Sequence, residues 1–196
     1  MHITTHRPAT LILIKHARPH ILPAEPATRW SLGDEGRRQC ATLASALAPW
    51  KPELLIASEE PKSAETAQQT AQILGAPWRT APGLHEHDRS TAPYIADDTA
   101  FRARIKELFA RPEELILGGE TAHAALTRFT LALDAALATT TERSVAVVTH
   151  GTVISLYVAH RFGMDGYHLW WRLGLPALVV TDAPGVTEPV IIEQVG

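Results

Sequence analysis

Two histidines each come directly after an apolar stretch of the chain. His16 follows Leu11-Ile-Leu-Ile14 and Lys15, with Arg18 two residues further on, while His150 follows Val145-Ala-Val-Val-Thr149. A cation beside an imidazole, at the carboxyl end of a buried strand, lies where open α/β sheets bind ligands. Such a cluster can hold an anion against a nucleophile. A basic, solvated strand end is the alternative, and the first stretch alone does not decide between the two.

The elements that would position these side chains alternate between strands and helices. Buried strands are predicted over 11–14, 54–57 and 144–149, and shorter strands over 78–80, 178–181 and 190–194. Helices are predicted over 34–47, 61–74, 97–110, 120–138 and 152–161. This alternation is typical of the α/β class. We expect residues 1–196 to form a single three-layer α/β/α sandwich, with a mostly parallel sheet, helices on both faces and some antiparallel pairing near the C-terminus.

Composition excludes several functional classes. The net charge of −3 lacks the basic excess of a general nucleic-acid or membrane binder. The single cysteine, Cys40, excludes an internal disulfide and a cysteine-based zinc site, and its predicted helical position favours a packing role. No apolar run reaches membrane-spanning length, and the N-terminal residues lack an apolar signal core. These features together predict a cytoplasmic protein.

Five segments, in order along the chain, resemble the signature motifs of one family. Lys15-His16-Ala17 resembles the Arg-His-Gly motif of the histidine phosphatase superfamily, also called phosphoglycerate-mutase-like. Ser58-Glu-Glu-Pro-Lys62-Ser-Ala-Glu-Thr66-Ala67 is similar to its Ser-x-x-x-Arg-Ala-x-x-Thr-Ala segment, and Leu84-His85-Glu86 to the loop that carries its acid. Gly119-Glu120-Thr121 resembles its Gly-Glu-Ser, and Val147-Val148-Thr149-His150-Gly151 the strand that leads to its second histidine. The resemblance covers most of the chain and implies a phosphoglycerate-mutase-like fold.

The resemblance also implies a role for each matched residue. His16 would be the nucleophile that forms a phosphohistidine. Lys15 and Lys62 would bind the phosphoryl oxygens and oppose their charge in the transition state. The spacing of Arg18, one residue past the histidine-alanine pair, adds the hypothesis that it supplies a bidentate donor to the same oxygens. His150 would donate a hydrogen bond to a phosphoryl oxygen, and Glu86 would act as the acid and then the base. No metal or cofactor would be needed.

Departures from the family pattern leave alternatives open. Lysine replaces arginine at positions 15 and 62, which keeps the charge but loses the planar fork that holds two oxygens at once. Ala17 stands where glycine is usual. The acid could be Asp88, or His85 or His87, in place of Glu86. A metal site at 85–87 lacks the spacing of a third ligand.

Other polar and aromatic residues have simpler interpretations. We expect Glu120 to be only the first-turn acid of its helix, and Arg89 to pair with Asp88. The alternative for Arg89 is contact with a carboxylate or phosphate of the substrate. Trp170 and Trp171 are predicted to pack or to form a subunit contact.

The function that follows is hydrolysis of a phosphate monoester, with a small phosphorylated molecule or a phosphoprotein as the substrate. The first alternative is phosphoglycerate mutase-type transfer, which usually requires a more enclosed and more basic pocket. The second is a phosphate-ligand binding module with weak or absent catalysis, suggested by the two lysines. The loops over 19–30 and 84–94 are expected to determine which substrate is accepted.

Overall fold

A six-stranded sheet forms the centre of the computed structural model, which describes residues 8–195. The strands are β1 (Thr10–Lys15), β2 (Leu54–Ala57), β3 (Trp78–Thr80), β4 (Ser144–Thr149), β5 (Ala177–Asp182) and β6 (Val190–Ile192). Their order across the sheet is β3-β2-β4-β1-β5-β6, in which the first four are parallel. The strand β5 runs antiparallel to β1, and β6 antiparallel to β5. The predicted mostly parallel sheet, with antiparallel pairing near the C-terminus, is confirmed.

Helices cover both faces of this sheet. They are α1 (Asp34–Leu47), α2 (Pro61–Leu74), α3 (Asp98–Ala110), α4 (Ala122–Ala138), α5 (Gly151–Phe162) and α6 (Gly166–Arg172). Alternate residues of β1 enter two separate cores, because successive side chains of a strand point to opposite faces. Leu11 and Leu13 pack with side chains of α3, α4, α5 and α6, whereas Ile12 and Ile14 pack with those of α1 and α2. The three-layer α/β/α architecture follows from this division.

Two elements differ from the sequence-based expectation. The helix α4 begins at Ala122, because the side chain of Thr121 accepts a hydrogen bond from the backbone N–H of Ala124 and caps the helix there. Glu120 therefore precedes the helix, and its predicted role as a first-turn acid is wrong. The short helix α6 was not predicted. Within it Trp170 packs against Phe101, with ring centroids 5.9 Å apart.

The remaining predictions concern cysteine, membrane spans and the N-terminus. Cys40 is fully buried in α1, as expected of a packing residue, and burial raises the pKa of its thiol to about 11. Over residues 8–195, no helix is long and apolar enough to cross a membrane. Residues 1–7, which belong to the stretch predicted to lack a signal core, lie outside the described residues.

The sheet brings three chain segments to one edge. Lys15 of β1 is in register with Thr149 of β4, and Ala57 of β2 with Val148 of β4. The carboxyl ends of these three parallel strands therefore lie side by side. The residues that follow them, His16, Ser58 and His150, meet at this edge.

Candidate active site

His16 is a buried, neutral imidazole. Its backbone N–H donates to the carbonyl of Thr149 at 3.1 Å, which continues the β1–β4 pairing. Its Nδ1 lies 2.8 Å from the carbonyl oxygen of Ala17. Because a carbonyl oxygen only accepts, Nδ1 carries the proton and Nε2 keeps its lone pair. Burial, followed by the charge of Lys62, lowers the pKa of His16 to about 3, so the ring stays neutral at ordinary pH.

His150 lies beside His16 and has one unused nitrogen. The two ring centroids are 5.2 Å apart, at an interplanar angle of 66°. The Nε2 atom of His150 is 3.0 Å from Oγ of Ser58, whereas its Nδ1 is buried and has no hydrogen-bond partner. Burial, followed by the neighbouring His16, holds the pKa of His150 well below 6.5. With Ser58 donating to Nε2, the Nδ1–H would be available to a ligand.

Lys62 is buried in the first turn of α2 and is already paired. Its ammonium donates to the carbonyl of Ala27 at 2.7 Å and forms an ion pair with Glu60. The other carboxylate oxygen of Glu60 accepts from the backbone N–H of Glu86 at 3.0 Å and lies 3.6 Å from Nε2 of His150. A buried carboxylate therefore neutralises one of the predicted phosphate-binding cations.

Lys15 extends across the N-terminus of α5. A side chain at Gly151 would place its Cβ 3.0 Å from Cε of Lys15, so glycine leaves room for the lysine stem. The ammonium donates to the carbonyl of Leu173 at 2.6 Å. Burial lowers the pKa of Lys15 to about 8, although the charge of Glu86 opposes this shift.

Glu86 is held as a carboxylate by several donors. Its two oxygens accept from the backbone N–H groups of His87, at 2.9 Å, and Thr152, at 3.2 Å. Arg89 lies 3.2 Å from one of these oxygens. Burial raises the pKa of Glu86, but Arg89 and the two backbone donors lower it by more, so the net pKa lies below 4.5. Glu86 is therefore ionised before a substrate binds.

The loop that carries Glu86 is fixed by Arg128 of α4. The guanidinium donates to the carbonyls of Gly83, His85 and Glu86 at 2.8, 2.9 and 3.1 Å. It also forms two hydrogen bonds of 2.8 Å with the carboxylate of Glu120. Glu120 thus orients Arg128, and both residues position the loop.

These residues surround a cavity of about 600 Å³. His16, Lys62, Glu86 and His150 line it, so four of the six predicted site residues share one space. The described lining includes neither Lys15, whose ammonium is bonded to the carbonyl of Leu173, nor Arg18.

Arg18 is directed away from the cavity. Its backbone is fixed against α1, since its N–H donates to Oε1 of Gln39 at 3.0 Å and its carbonyl accepts from the N–H of Gly33 at 3.2 Å. The side chain is 56% exposed and lies 3.4 Å from Glu35. The prediction that Arg18 binds phosphoryl oxygens therefore has no support from its position.

Two residues of the site, Glu60 and Arg128, had no assigned role from the sequence, and a third, Arg89, was assigned another partner. Glu60 occupies an unspecified position of the family motif, and Arg128 lies 42 or more residues from the loop it binds. Arg89 was expected to pair with Asp88 but contacts Glu86. Arg89 follows Glu86 at i+3 in a polar loop, and this spacing is the only signal that could have indicated the contact between them. Among residues 8–195, no three His, Cys, Asp or Glu side chains are grouped to hold a metal ion.

Comparison with known proteins identifies the family of the chain. The family model for the histidine phosphatase superfamily, branch 1, matches residues 11–182, and this confirms the resemblance of the five motifs. No curated protein matches the sequence of this chain.

Several solved structures share the fold at low sequence identity. "Mycobacterial hydrolase 1" superposes with a TM-score of 0.73 at 16% identity, covering 96% of this chain and 100% of that chain. A mycobacterial glucosyl-3-phosphoglycerate phosphatase gives 0.69 at 16%, covering 97% and 100%. A phosphoserine phosphatase from Entamoeba histolytica, in complex with 3-phosphoglyceric acid, gives 0.69 at 17%, covering 94% and 96%. At this level of identity, the likeness shows the fold.

Proposed function

Because the chain belongs to the histidine phosphatase superfamily, we propose that it is a phosphatase that hydrolyses a phosphate monoester through a phosphohistidine on His16. The observation that carries this proposal is the pair of buried, neutral imidazoles, 5.2 Å apart, on the lining of one cavity. The similar structures named as phosphatases support hydrolysis over mutase-type transfer.

In the first step, the lone pair on Nε2 of His16 attacks phosphorus as the bond to the ester oxygen breaks. The hydrogen bond from Nδ1 of His16 to Ala17 orients the ring for this attack. The leaving oxygen takes a proton from Glu86 and departs as an alcohol. Glu86 is ionised in the free enzyme, so its proton must arrive with the substrate, whose negative charge raises the pKa of a nearby carboxyl group.

In the second step, Glu86 accepts a proton from water while the water oxygen attacks phosphorus. The bond between phosphorus and Nε2 breaks and returns the electron pair to the ring. The departing hydrogen phosphate then takes the proton from Glu86, which returns to its ionised state. The products are the alcohol and dihydrogen phosphate, so protons and charge balance over the cycle. Nδ1 of His150 donates to a phosphoryl oxygen throughout, which satisfies a buried group that has no partner in the free protein.

The two lysines oppose the charge on the phosphoryl group. Lys62 lines the cavity. Lys15 does not line it and acts on the phosphoryl group through its charge alone. Neither step uses a metal ion, and we propose that the enzyme needs none. A phosphoprotein substrate would undergo the same chemistry as a small molecule.

One observation supports the weak catalysis of the second candidate, a phosphate-binding module, although it also predicts weak phosphate binding. The ion pair between Glu60 and Lys62 uses the positive charge that a phosphate dianion would need. Phosphate must compete with Glu60 for Lys62, and this competition weakens both ground-state and transition-state binding.

Hydrolysis of an aryl phosphate, with no metal added, tests the proposal. We expect activity in the wild type and a loss of at least about a thousandfold in kcat/KM in His16→Ala and in His150→Ala. The matched control is His123→Ala, because the His123 side chain is 60% exposed and is not among the cavity-lining residues. A phosphohistidine trapped by quenching in an alkaline denaturant, in which the P–N bond survives, should appear in the wild type and be absent in His16→Ala.

Two other outcomes would replace the proposal. Isomerisation of phosphoglycerate without release of phosphate would indicate a mutase. Binding of vanadate or phosphate without turnover of any substrate would indicate the binding module.

A further inference from the structure

The wall of the cavity beyond the histidines is apolar. This part of the lining comes from two segments, 19–30 and 90–101, and from position 117. It consists of six large side chains, four prolines and several alanines. The large apolar and aromatic side chains are Ile21, Trp30, Tyr94, Ile95, Phe101 and Leu117. Ile21 and Tyr94 are 51% and 49% exposed, which leaves apolar surface open to an entering molecule.

This wall is held in place before a ligand arrives. Nε1 of Trp30 donates to the carbonyls of Leu22 and Glu25, at 3.0 and 3.2 Å, and the Trp30 carbonyl accepts from the N–H of Lys62 at 3.1 Å. The Trp30 and Tyr94 rings meet edge to face with centroids 6.0 Å apart. The apolar wall is therefore fixed to the phosphoryl-binding residues by direct contacts.

The lining offers little to a second anionic group. Of the described residues that line the cavity, the lysines and arginines are Lys62 and Arg89, and each pairs with a glutamate. Glu25 and Asp98 add negative charge, the latter in a pair with Arg102. A carboxylate or a second phosphate on the leaving group would meet these acids, and the lysine and arginine of the described lining are already paired with glutamates.

We propose that the cavity selects phosphate monoesters of apolar, uncharged alcohols, with an alkyl chain or aromatic ring lying along the 19–30 and 90–101 wall. This inference rests on the proposed phosphatase function for the position of the phosphoryl group. A volume of about 600 Å³ is in the range of pockets that hold a drug-sized ligand. Phosphorylated amino acids and sugar acids are then poor substrates.

The test uses substrates that differ in the apolar part alone. Across n-alkyl phosphates from ethyl to octyl, the leaving alcohols have nearly equal acidity, so intrinsic reactivity stays constant. We expect kcat/KM to rise about twofold to fourfold for each added methylene until the wall is covered. The kcat/KM for octyl phosphate should exceed that for 7-carboxyheptyl phosphate by at least about tenfold, because the second compound has the same length but ends in a carboxylate.

Variants locate the effect on the wall. The double substitution Ile21→Ser with Tyr94→Ser should flatten the chain-length dependence, measured as the ratio of kcat/KM for octyl phosphate to kcat/KM for ethyl phosphate in the same variant. Leu131→Ser is the matched control, because Leu131 is an equally apolar residue, 66% exposed, that does not line the cavity. It should keep the wild-type slope. A wild-type slope that is already flat, or that survives the double substitution, would overturn the inference.

Binding of alkylphosphonates, measured by calorimetry, separates this inference from the proposed function. These compounds cannot be hydrolysed at the P–C bond, so their affinity does not depend on catalysis. Octylphosphonate binding more tightly than ethylphosphonate, in a protein that hydrolyses no phosphate ester, would support the apolar wall and refute the phosphatase. Hydrolysis of ethyl phosphate with equal affinity for both phosphonates would support the phosphatase and refute the apolar wall.

Discussion

The neutral state of His16 should make the protein sensitive to acid by a calculable amount. The folded pKa is about 3, whereas a histidine in the unfolded chain has a pKa near 6.5. Between these values the unfolded state binds the proton and the folded state does not. The contribution of His16 to the free energy of unfolding is therefore fully present above about pH 6.5 and is lost as the pH falls toward 3.

The magnitude follows from the two pKa values. At pH 5, His16 is almost fully protonated in the unfolded chain and almost fully neutral in the folded protein. This difference lowers the free energy of unfolding by about 2 kcal/mol at pH 5 relative to pH 7. His16→Gln removes the titrating group. We expect the wild type to lose about 2 kcal/mol more than His16→Gln between pH 7 and pH 5. Carboxylates such as Glu86 titrate in both proteins and cancel in this comparison.

The assay is urea unfolding at the two pH values, followed by circular dichroism, for the wild type and two variants. His123→Gln is the matched control, because it removes an exposed histidine and should retain the wild-type pH dependence. Equal pH dependence in the wild type and His16→Gln would show that His16 is not a buried neutral base. The argument for its role as the nucleophile would then fail with it.

Three further predictions concern the charges around the cavity. Because the pKa of Lys15 is about 8, kcat/KM should fall with rising pH above about 8 as the ammonium loses its proton, and Lys15→Arg should move this fall to higher pH in a pH–rate profile. Glu60→Gln should strengthen phosphate binding, on the order of tenfold by calorimetry, because it releases Lys62 from its ion pair; unchanged affinity would mean that phosphate does not use Lys62. Arg18→Ala should leave kcat/KM for an aryl phosphate unchanged, since Arg18 is solvent-exposed beside Glu35. A tenfold loss of kcat/KM would show that Arg18 does contact the phosphoryl group.

The order of strands and helices was predictable because it depends on local signals. The four aliphatic residues of β1 are buried as expected, and the predicted boundaries of α1 and α2 match the structure. Gly75 ends α2 with a φ of 68°, a conformation that favours glycine. At α4 the sequence placed the start two residues early, because the side chain of Thr121 caps the helix and the first helical residue is Ala122.

The sequence by itself determined that two histidines each follow a buried strand, because apolar runs define such strands. The tertiary structure placed these two strands, β1 and β4, side by side. Only the tertiary structure decided which charges reach the histidines. Glu60 neutralises Lys62, Arg128 fixes a loop more than 40 residues away, and Arg18 turns toward Glu35. Each of these depends on the direction of a long side chain and on burial that removes competing water. Residue type and spacing along the chain specify neither property.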